Sequence, residues 1–302
     1  MAKQRLLILN SGGLTSAYMT RRLLTEYADE YEIVVVFANT GQENNETLDF
    51  VRDCDVNFGF NTVWIEAVVH AGRVACTHKI VNYETARRHG EPFEEVVQKY
   101  GIPNHSYKHC TRELKENPIH HYVRSLGWEK GSYLTAIGIR TDESHRVNRS
   151  VSKQTGQVRI YPLVDFFPSD KIDVNDFWEQ QSFRLQLKNY QGNCKVCFKK
   201  SDKKLQQLYR DNPRNFNIFA YLENQYGKVG TNKIKGIVST DPRKFYRGYR
   251  SVRDLIATFD PDAPPYKYDP EDNDGCSGEC NPFMSDEEPP EWGEEAMTQE
   301  SE

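Results

Sequence analysis

The stretch Leu6-Leu7-Ile8-Leu9-Asn10-Ser11-Gly12-Gly13-Leu14-Thr15-Ser16 passes from an apolar run through a serine–glycine turn into a helical pattern. The apolar run predicts a buried strand, and the apolar spacing over residues 17–24 predicts a helix. Glycines let the backbone approach an anion, and the first amides of a helix direct unpaired N–H groups towards it. No Gly-Lys-Ser/Thr follows, so the turn is not a Walker A loop. The stretch therefore predicts an anion site between a strand and a helix.

Strands and helices alternate over the first half of the chain. Apolar and β-branched runs predict strands at Arg5–Asn10, Glu32–Ala38, Thr62–Val68 and Tyr133–Ile139. Helical patterns lie at Thr15–Tyr27, Asn45–Phe58, Pro92–Tyr100 and Thr111–Leu126, then at residues 170–190 and Ser201–Asp211. This alternation predicts an α/β fold, a doubly wound and mostly parallel sheet with helices on both faces. The turns after the first two strands then face one crevice, where a single nucleotide could touch both.

Charge and composition divide the chain into three parts. Residues 260–302 contain 15 acidic residues and one basic residue, whereas residues 1–259 contain 38 basic and 29 acidic residues. We expect a nucleotide-binding α/β domain over 1–211, a basic and aromatic extension over 212–259, and a disordered acidic tail over 260–302. A basic body fits a polyanionic ligand.

The bulk composition is that of a soluble protein, with 37% hydrophobic residues and a mean hydropathy of -0.76. No stretch is apolar over the length that spans a bilayer, and the first five residues lack the apolar part of a secretory signal. We therefore expect a cytoplasmic protein without a membrane partner. Seven cysteines in such a chain argue against a disulfide framework and for metal or redox chemistry.

Four blocks follow one another along the chain. They are Ser11–Ser16, Phe37–Gly41 with Glu46-Thr47-Leu48, Gly138-Ile139-Arg140 with Glu143 and Arg146, and Tyr161-Pro162-Leu163 with Asp173–Trp178. In this order they resemble the phosphoadenosine phosphosulfate (PAPS) reductase family within the adenine nucleotide alpha-hydrolase superfamily, the PP-loop ATP pyrophosphatases. That superfamily carries an aspartate at the position of Thr15. The pattern with threonine in its place resembles a phage-borne branch of the family, and a phage protein would be located in the host cytoplasm.

The resemblance implies an adenine nucleotide as ligand: PAPS, adenylyl sulfate or ATP. It assigns the phosphates to Ser11, Gly12, Gly13, Thr15 and Ser16, the nucleoside to Asn39, Thr40 and Gly41, and the sulfate or distal phosphate to Arg140 and Arg146. An arginine fork suits such anions. Because a threonine hydroxyl cannot balance a divalent cation as a carboxylate does, a role for Mg²⁺ stays open.

Three cysteines have the spacing of a metal site. Cys194-Lys195-Val196-Cys197 is a Cys-x-x-Cys, and Cys110 lies 84 positions before Cys194. Thiolates at this spacing can converge on one soft metal. The iron–sulfur branch of the family has a similar arrangement, with His109 standing where its first cysteine would be. The resemblance implies a [4Fe-4S] cluster on these four residues, with Zn²⁺ as the alternative.

Two further cysteines, Cys276 and Cys280, lie in the acidic tail. PAPS reductases carry their nucleophilic cysteine in a C-terminal Glu-Cys segment, which Glu279-Cys280 resembles. A Cys280 thiolate could attack the sulfur of the substrate, and Cys276 could resolve the adduct as a disulfide. A thiol reductant such as thioredoxin would then be a partner.

The sequence thus favours a PAPS reductase-like enzyme of sulfur redox or transfer chemistry, with two alternatives. One is ATP-dependent sulfur insertion into a tRNA or DNA base, since residues 243–253 interleave basic and aromatic side chains as nucleic-acid surfaces do. The other is a non-catalytic protein that binds a nucleotide or a partner.

Overall fold

The fold is built on a six-stranded sheet with the order β4-β3-β2-β1-β5-β6. The structure is a computed structural model, and it describes residues 3–129, 131–149, 156–192, 194–234 and 237–267. The strands are Gln4–Leu9 (β1), Tyr31–Asn39 (β2), Val63–Val68 (β3), Thr77–Val81 (β4), Tyr133–Ala136 (β5) and Val158–Ile160 (β6). Neighbouring strands are parallel except β3 and β4. Because β1 lies between β2 and β5, the strand order reverses there, and such a reversal opens a crevice at the carboxyl ends.

Helices surround this sheet. Up to β5 they are α1 (Leu14–Glu26), α2 (Asn45–Phe58), α3 (Glu91–Tyr100), the short turn α4 (His109–Thr111), a π-helical turn (Arg112–Glu116) and α5 (Asn117–Ser125). After β5 come α6 (Pro162–Asp165), α7 (Lys171–Glu179), α8 (Asp202–Asp211), α9 (Asn217–Tyr226) and α10 (Val252–Ile256), with 3₁₀ turns at Thr141–Arg146, Pro213–Phe216 and Arg247–Tyr249. Asn232–Ile234 (β7) and Ile237–Ser239 (β8) form an antiparallel pair. None of the helices described is long and apolar enough to cross a membrane.

Both faces of the sheet are covered. Leu6 and Ile8 of β1 belong to one apolar cluster with residues of α1, α2 and α7, whereas Leu7 and Leu9 belong to another with residues of α5. Successive strand residues point to opposite faces, so a strand covered on both sides is apolar throughout. The predicted α/β fold is therefore confirmed.

The four predicted strands are present with slightly shifted ends, and two further strands, β4 and β6, lie at the edges of the sheet. In β4, most positions are exposed or half-buried. An edge strand with so little burial lacks the continuous apolar run that identifies a central strand. This explains why the sequence pattern does not predict it.

The C-terminal region packs on the rest of the chain. Phe216 and Phe219 lie in one buried cluster with Phe93 and Val97 of α3. Residues 260–267, at the start of the predicted acidic tail, contact α8, where Arg210 Nη2 donates hydrogen bonds of 2.9 Å to two of their carbonyl groups. Residues 268–302, and with them the predicted catalytic residues Cys276 and Cys280, lie outside the described residues.

Candidate functional site

A cavity of about 180 Å³ lies at the carboxyl ends of β1, β2 and β5. One part of its wall is the loop of residues 10–16, and Gly138 and Arg140 follow β5 into the same wall. The predicted nucleotide-binding residues on the wall are Ser11, Gly12, Gly13, Thr15, Ser16 and Arg140. Apolar side chains also line it, namely Leu9, Leu14, Val36, Phe37, Ala38, Ile119, Ile137, Leu185 and Leu187.

Side chains within the loop hold its shape. Asn10 Oδ1 accepts a 3.0 Å hydrogen bond from the Gly12 amide and lies 3.2 Å from Ser16 Oγ. Ser16 Oγ in turn accepts a hydrogen bond of 3.1 Å from the Ser11 amide. The loop is therefore preorganised by its own polar groups.

The same loop leaves donors unused. Asn10 is 3% exposed, and its Nδ2 has no hydrogen-bond partner in the described structure. Helix α1 begins after Gly13 with no side chain capping it and no acidic residue in its first turn. A buried amide donor and the amides of a helix N-terminus are groups that an anion satisfies. This part of the wall therefore offers donors of the kind that bind anions.

Gly12 occupies a position that other residues fit poorly. Its φ is 73°, and a Cβ there would lie 2.5 Å from Thr47 Cγ2. We expect Gly12→Ala to lower the free energy of unfolding by about 2 kcal/mol, because it adds backbone strain and a clash. Gly13 has a φ of -102° and room for a Cβ. Gly13→Ala is the matched control, with an expected change below about 1 kcal/mol in urea unfolding. Equal losses in the two variants would contradict this account of the loop.

Arg140 brings a positive charge to the cavity wall. Its Nη1 donates a 3.1 Å hydrogen bond to Thr15 Oγ1, and its Nε and Nη2 form a fork on the Asp142 carboxylate at 2.9 and 2.8 Å. Burial raises the pKa of Asp142, but the hydrogen bonds from Arg140 outweigh it and hold that pKa below its usual value. Because Thr15 is neutral, it accepts this hydrogen bond without adding a further negative charge beside Arg140.

Arg146 does not line the cavity. Its Nη1 donates a 2.5 Å hydrogen bond to Glu143, which does line the cavity and also lies 3.4 Å from Arg140. The Nε and Nη2 atoms of Arg146 are buried without a hydrogen-bond partner among the described residues. The predicted contact between Arg146 and an anion stays a prediction.

Asn39, at the end of β2, is fully buried and its amide is engaged. Its Nδ2 donates hydrogen bonds of 2.8 Å to Glu66 Oε1 and to the Arg87 carbonyl, and its Oδ1 accepts one of 3.2 Å from the Gly41 amide. The Asn39 side chain therefore fixes the turn, and it does not line the cavity.

Thr40 is also directed into the protein. Its amide and hydroxyl both donate to the Glu43 carboxylate, at 3.0 and 2.7 Å. In this turn, Glu43 and the following Thr47 line the cavity, whereas Asn39, Thr40 and Gly41 do not. The predicted contacts of those three residues with a nucleoside stay predictions.

The predicted metal ligands Cys110, Cys194, Cys197 and His109 all lie among the described residues. Cys110 packs on the apolar cluster that contains Val196, next to Cys197. Cys194 Sγ lies 3.8 Å from Thr40 Oγ1. His109 is buried, its Nε2 lies 2.8 Å from the Gly101 carbonyl oxygen, and burial lowers its pKa to about 4. Among the residues that the structure describes, no three His, Cys, Asp or Glu side chains are arranged to hold a metal ion.

Several cavity residues were not predicted to contact the ligand, among them Asn10, Glu43, Lys115, Leu185 and Leu187. Lys115 reaches the wall from the π-helical turn, a kind of irregularity that is frequent at functional sites. Leu185 and Leu187 belong to the segment of residues 182–189, which has no regular structure. The alternation of leucines with polar residues is the sequence signal by which this segment could have been identified as part of the site.

The basic and aromatic run of residues 243–253 contributes to the fold. Arg243 is 6% exposed, donates a 2.8 Å hydrogen bond to the Tyr100 carbonyl and stacks 3.8 Å above the Tyr107 ring. Further ion pairs join Lys244 to Asp254 at 2.9 Å and Arg250 to Asp202 at 2.8 Å. Three cations of the run therefore have partners within the protein, and its binding to a nucleic acid stays a prediction.

Comparisons with known proteins give distant relatives. No protein-family model matches the chain. An uncharacterized nin region protein of Escherichia phage lambda is 28% identical over 253 residues, which cover 82% of this chain and 83% of that protein. Two uncharacterized proteins of Methanocaldococcus jannaschii are 30% and 27% identical, over 50% and 53% of this chain, which spans only 26% and 33% of their lengths. A crystal structure of PAPS reductase from Candida auris, a phosphate complex, has a TM-score of 0.38 and 16% identity, and covers 60% of this chain and 74% of its own.

Proposed function

We propose that the cavity binds an adenine nucleotide, with its phosphate or sulfate groups at the loop of residues 10–16, and that the protein is an enzyme of sulfur redox or transfer chemistry. The observation that carries the proposal is that Asn10, which lines the cavity, has a buried Nδ2 donor without a hydrogen-bond partner among the described residues. It shares this wall with the uncapped N-terminus of α1 and with Arg140. Neutral and charged donors on one wall match the oxygens of an anionic group.

The remaining wall suits the rest of a nucleotide. Val36, Phe37 and Ile119 line the cavity with apolar surface. Pockets of this composition hold the flat, weakly polar part of a ligand, while a few polar groups fix its orientation. The motif resemblance to adenine nucleotide enzymes favours a purine nucleotide as the occupant.

The proposed reaction needs a thiol nucleophile, and Cys280 is our candidate. Its thiolate attacks the sulfur of a bound sulfonucleotide, forms the S–S bond of a thiosulfonate adduct and displaces the nucleotide phosphate as leaving group. The Cys276 thiolate then attacks Cys280, releasing sulfite and leaving a disulfide that an external dithiol reduces. The donors of the loop and Arg140 stabilise the negative charge that builds up on the departing phosphate.

Two assays on the full chain test this proposal. Titration calorimetry with AMP, ATP, PAPS and adenylyl sulfate measures binding, and sulfite release measures turnover with a dithiol present. Cys280→Ser should bind the nucleotide but release no sulfite, whereas Cys276→Ser should stop at the adduct, which mass spectrometry detects. Binding without sulfite in the unmodified protein would favour a non-catalytic role. Pyrophosphate release that depends on a nucleic acid would favour sulfur insertion.

The predicted cluster enters no step of this reaction, because the described thiols and His109 are not arranged as a metal site. The [4Fe-4S] cluster, or Zn²⁺ in its place, stays a prediction for Cys110, Cys194, Cys197 and His109. Iron, sulfide and zinc contents of protein purified without oxygen, together with the visible spectrum, decide between them. Cys110→Ser should lower the bound metal if the prediction holds.

A further inference from the structure

A second, larger cavity adjoins the first. This outer groove measures about 670 Å³ and shares Leu14, Thr15, Arg140, Leu185 and Leu187 with the inner cavity. Its remaining lining comes from α7 and the segment after it, namely Lys171, Val174, Asn175, Arg184, Gln186, Lys188 and Asn189. A ligand seated on the loop of residues 10–16 can therefore extend past Thr15 and Arg140 into the groove.

The charges of the groove have one sign. Of the described residues that line it, Arg140, Lys171, Arg184 and Lys188 are basic and none is acidic. Arg140 is paired with Asp142 at 2.8 Å and lies 3.4 Å from Glu143, and neither carboxylate lines the groove. Arg184 lies 3.6 Å from Glu179, which is 65% exposed, and Lys188 lies 3.7 Å from Asp211. Long and partly exposed pairs of this kind are weak, so the lining keeps an excess of positive charge.

Uncharged donors accompany these cations. Asn175, Gln186 and Asn189 also line the groove, and Arg184 Nη2 donates a 3.1 Å hydrogen bond to Asn175 Oδ1, which orients the guanidinium. Several cations with amide donors and without carboxylates are the lining that phosphate oxygens require. The volume is large enough for several such groups, since pockets for ordinary ligands measure about 300–1,000 Å³.

We infer that the outer groove is a second binding site, for phosphate groups of a ligand that lies against the segment of residues 184–189. For a nucleotide ligand the inference rests on the proposed function, and for a nucleic acid it goes beyond it. Two sources share this chemistry: the distal phosphates of a nucleotide held in the inner cavity, and the phosphodiester backbone of a single-stranded nucleic acid.

The test removes two charges from the groove. The groove variant carries both Lys171→Gln and Lys188→Gln. The control variant carries both Lys203→Gln and Lys228→Gln, which remove the same charge from exposed residues that do not line the groove. Calorimetry measures AMP and ATP, and fluorescence anisotropy measures a short single-stranded oligonucleotide at several salt concentrations. Circular dichroism checks that both variants are folded.

We expect the groove variant to bind AMP within about twofold of the unmodified protein, because AMP leaves the groove empty. It should bind either ATP or the oligonucleotide about 10-fold more weakly, and the salt dependence of oligonucleotide binding should fall by about 1.4 in slope. If the groove variant binds ATP more weakly, the phosphates in the groove belong to the nucleotide. If it binds the oligonucleotide more weakly, they belong to a single-stranded nucleic acid. Unchanged binding of both overturns the inference. Failure of the unmodified protein to bind AMP or ATP counts against the proposed function. In that case, oligonucleotide binding by the groove variant is the measurement that tests the groove.

Discussion

Replacing Glu66 with alanine is expected to lower the free energy of unfolding by about 3 kcal/mol. Glu66 is fully buried in β3. It accepts hydrogen bonds of 2.8 Å from Asn39, and of 2.7 Å from both the amide and the Nε of Arg87, and it lies 3.2 Å from Lys79. Removing the carboxylate leaves these donors without their acceptor and loosens the turn that follows β2.

The contribution of Glu66 should also depend on pH. Burial alone would raise its pKa, but the hydrogen bonds from Arg87, Asn39 and Lys79 lower the pKa below its usual value. The stabilisation is therefore complete above the pKa of the unfolded chain, about 4.3, and is lost as the pH falls through the lower value of the folded protein. Urea unfolding should show the full difference between wild type and Glu66→Ala at neutral pH and a smaller one in acid.

Glu95→Gln is the control for this experiment. Glu95 also pairs with Arg87, but its side chain is 42% exposed. Losing such a pair should cost less than about 1 kcal/mol. If both variants lose the same free energy, the buried network around Asn39 is not what stabilises the turn.

Replacing Arg140 with glutamine is expected to weaken nucleotide binding by about 100-fold. The variant loses charge-assisted hydrogen bonds to the anion, which contribute about 1.5–3 kcal/mol. It also leaves Asp142 and Glu143 without the guanidinium that now lies beside both. Calorimetry with the nucleotide that binds the unmodified protein measures the change.

Arg149→Gln provides the matched control for Arg140. It removes the same charge from a residue whose side chain is 60% exposed and pairs with Asp165 outside both cavities. Binding in this control should stay within about threefold of the unmodified protein, because exposed charges are screened by solvent and salt. If Arg140→Gln is folded and binds equally well, the anion does not sit against this wall.

Much of the fold and part of the site follow from local patterns. The apolar run at residues 6–9 and the glycine turn after it predict a strand, a tight loop and a helix start, and the structure contains all three. Edge strand β4 and the π-helical turn were not predictable in this way. Their signals are short, and packing against neighbours stabilises them more than their own residue preferences do.

The rest of the site depends on contacts between residues that are far apart in the sequence. Asn39 was expected to contact a ligand, yet a carboxylate 27 positions away engages its amide. Arg140 touches Thr15 across 125 positions, and this contact places its charge on the cavity wall.

The sequence by itself determined the alternation of the four predicted strands with helices, and the glycine turn between the first strand and the first helix. Periodicity and turn chemistry act over a few residues, so they can be read along the chain. Only the tertiary structure decided which polar groups find partners inside the protein and which, like Asn10 Nδ2, have none among the described residues. That outcome depends on packing between segments far apart in sequence, because a buried donor is satisfied by whatever acceptor the fold brings to it.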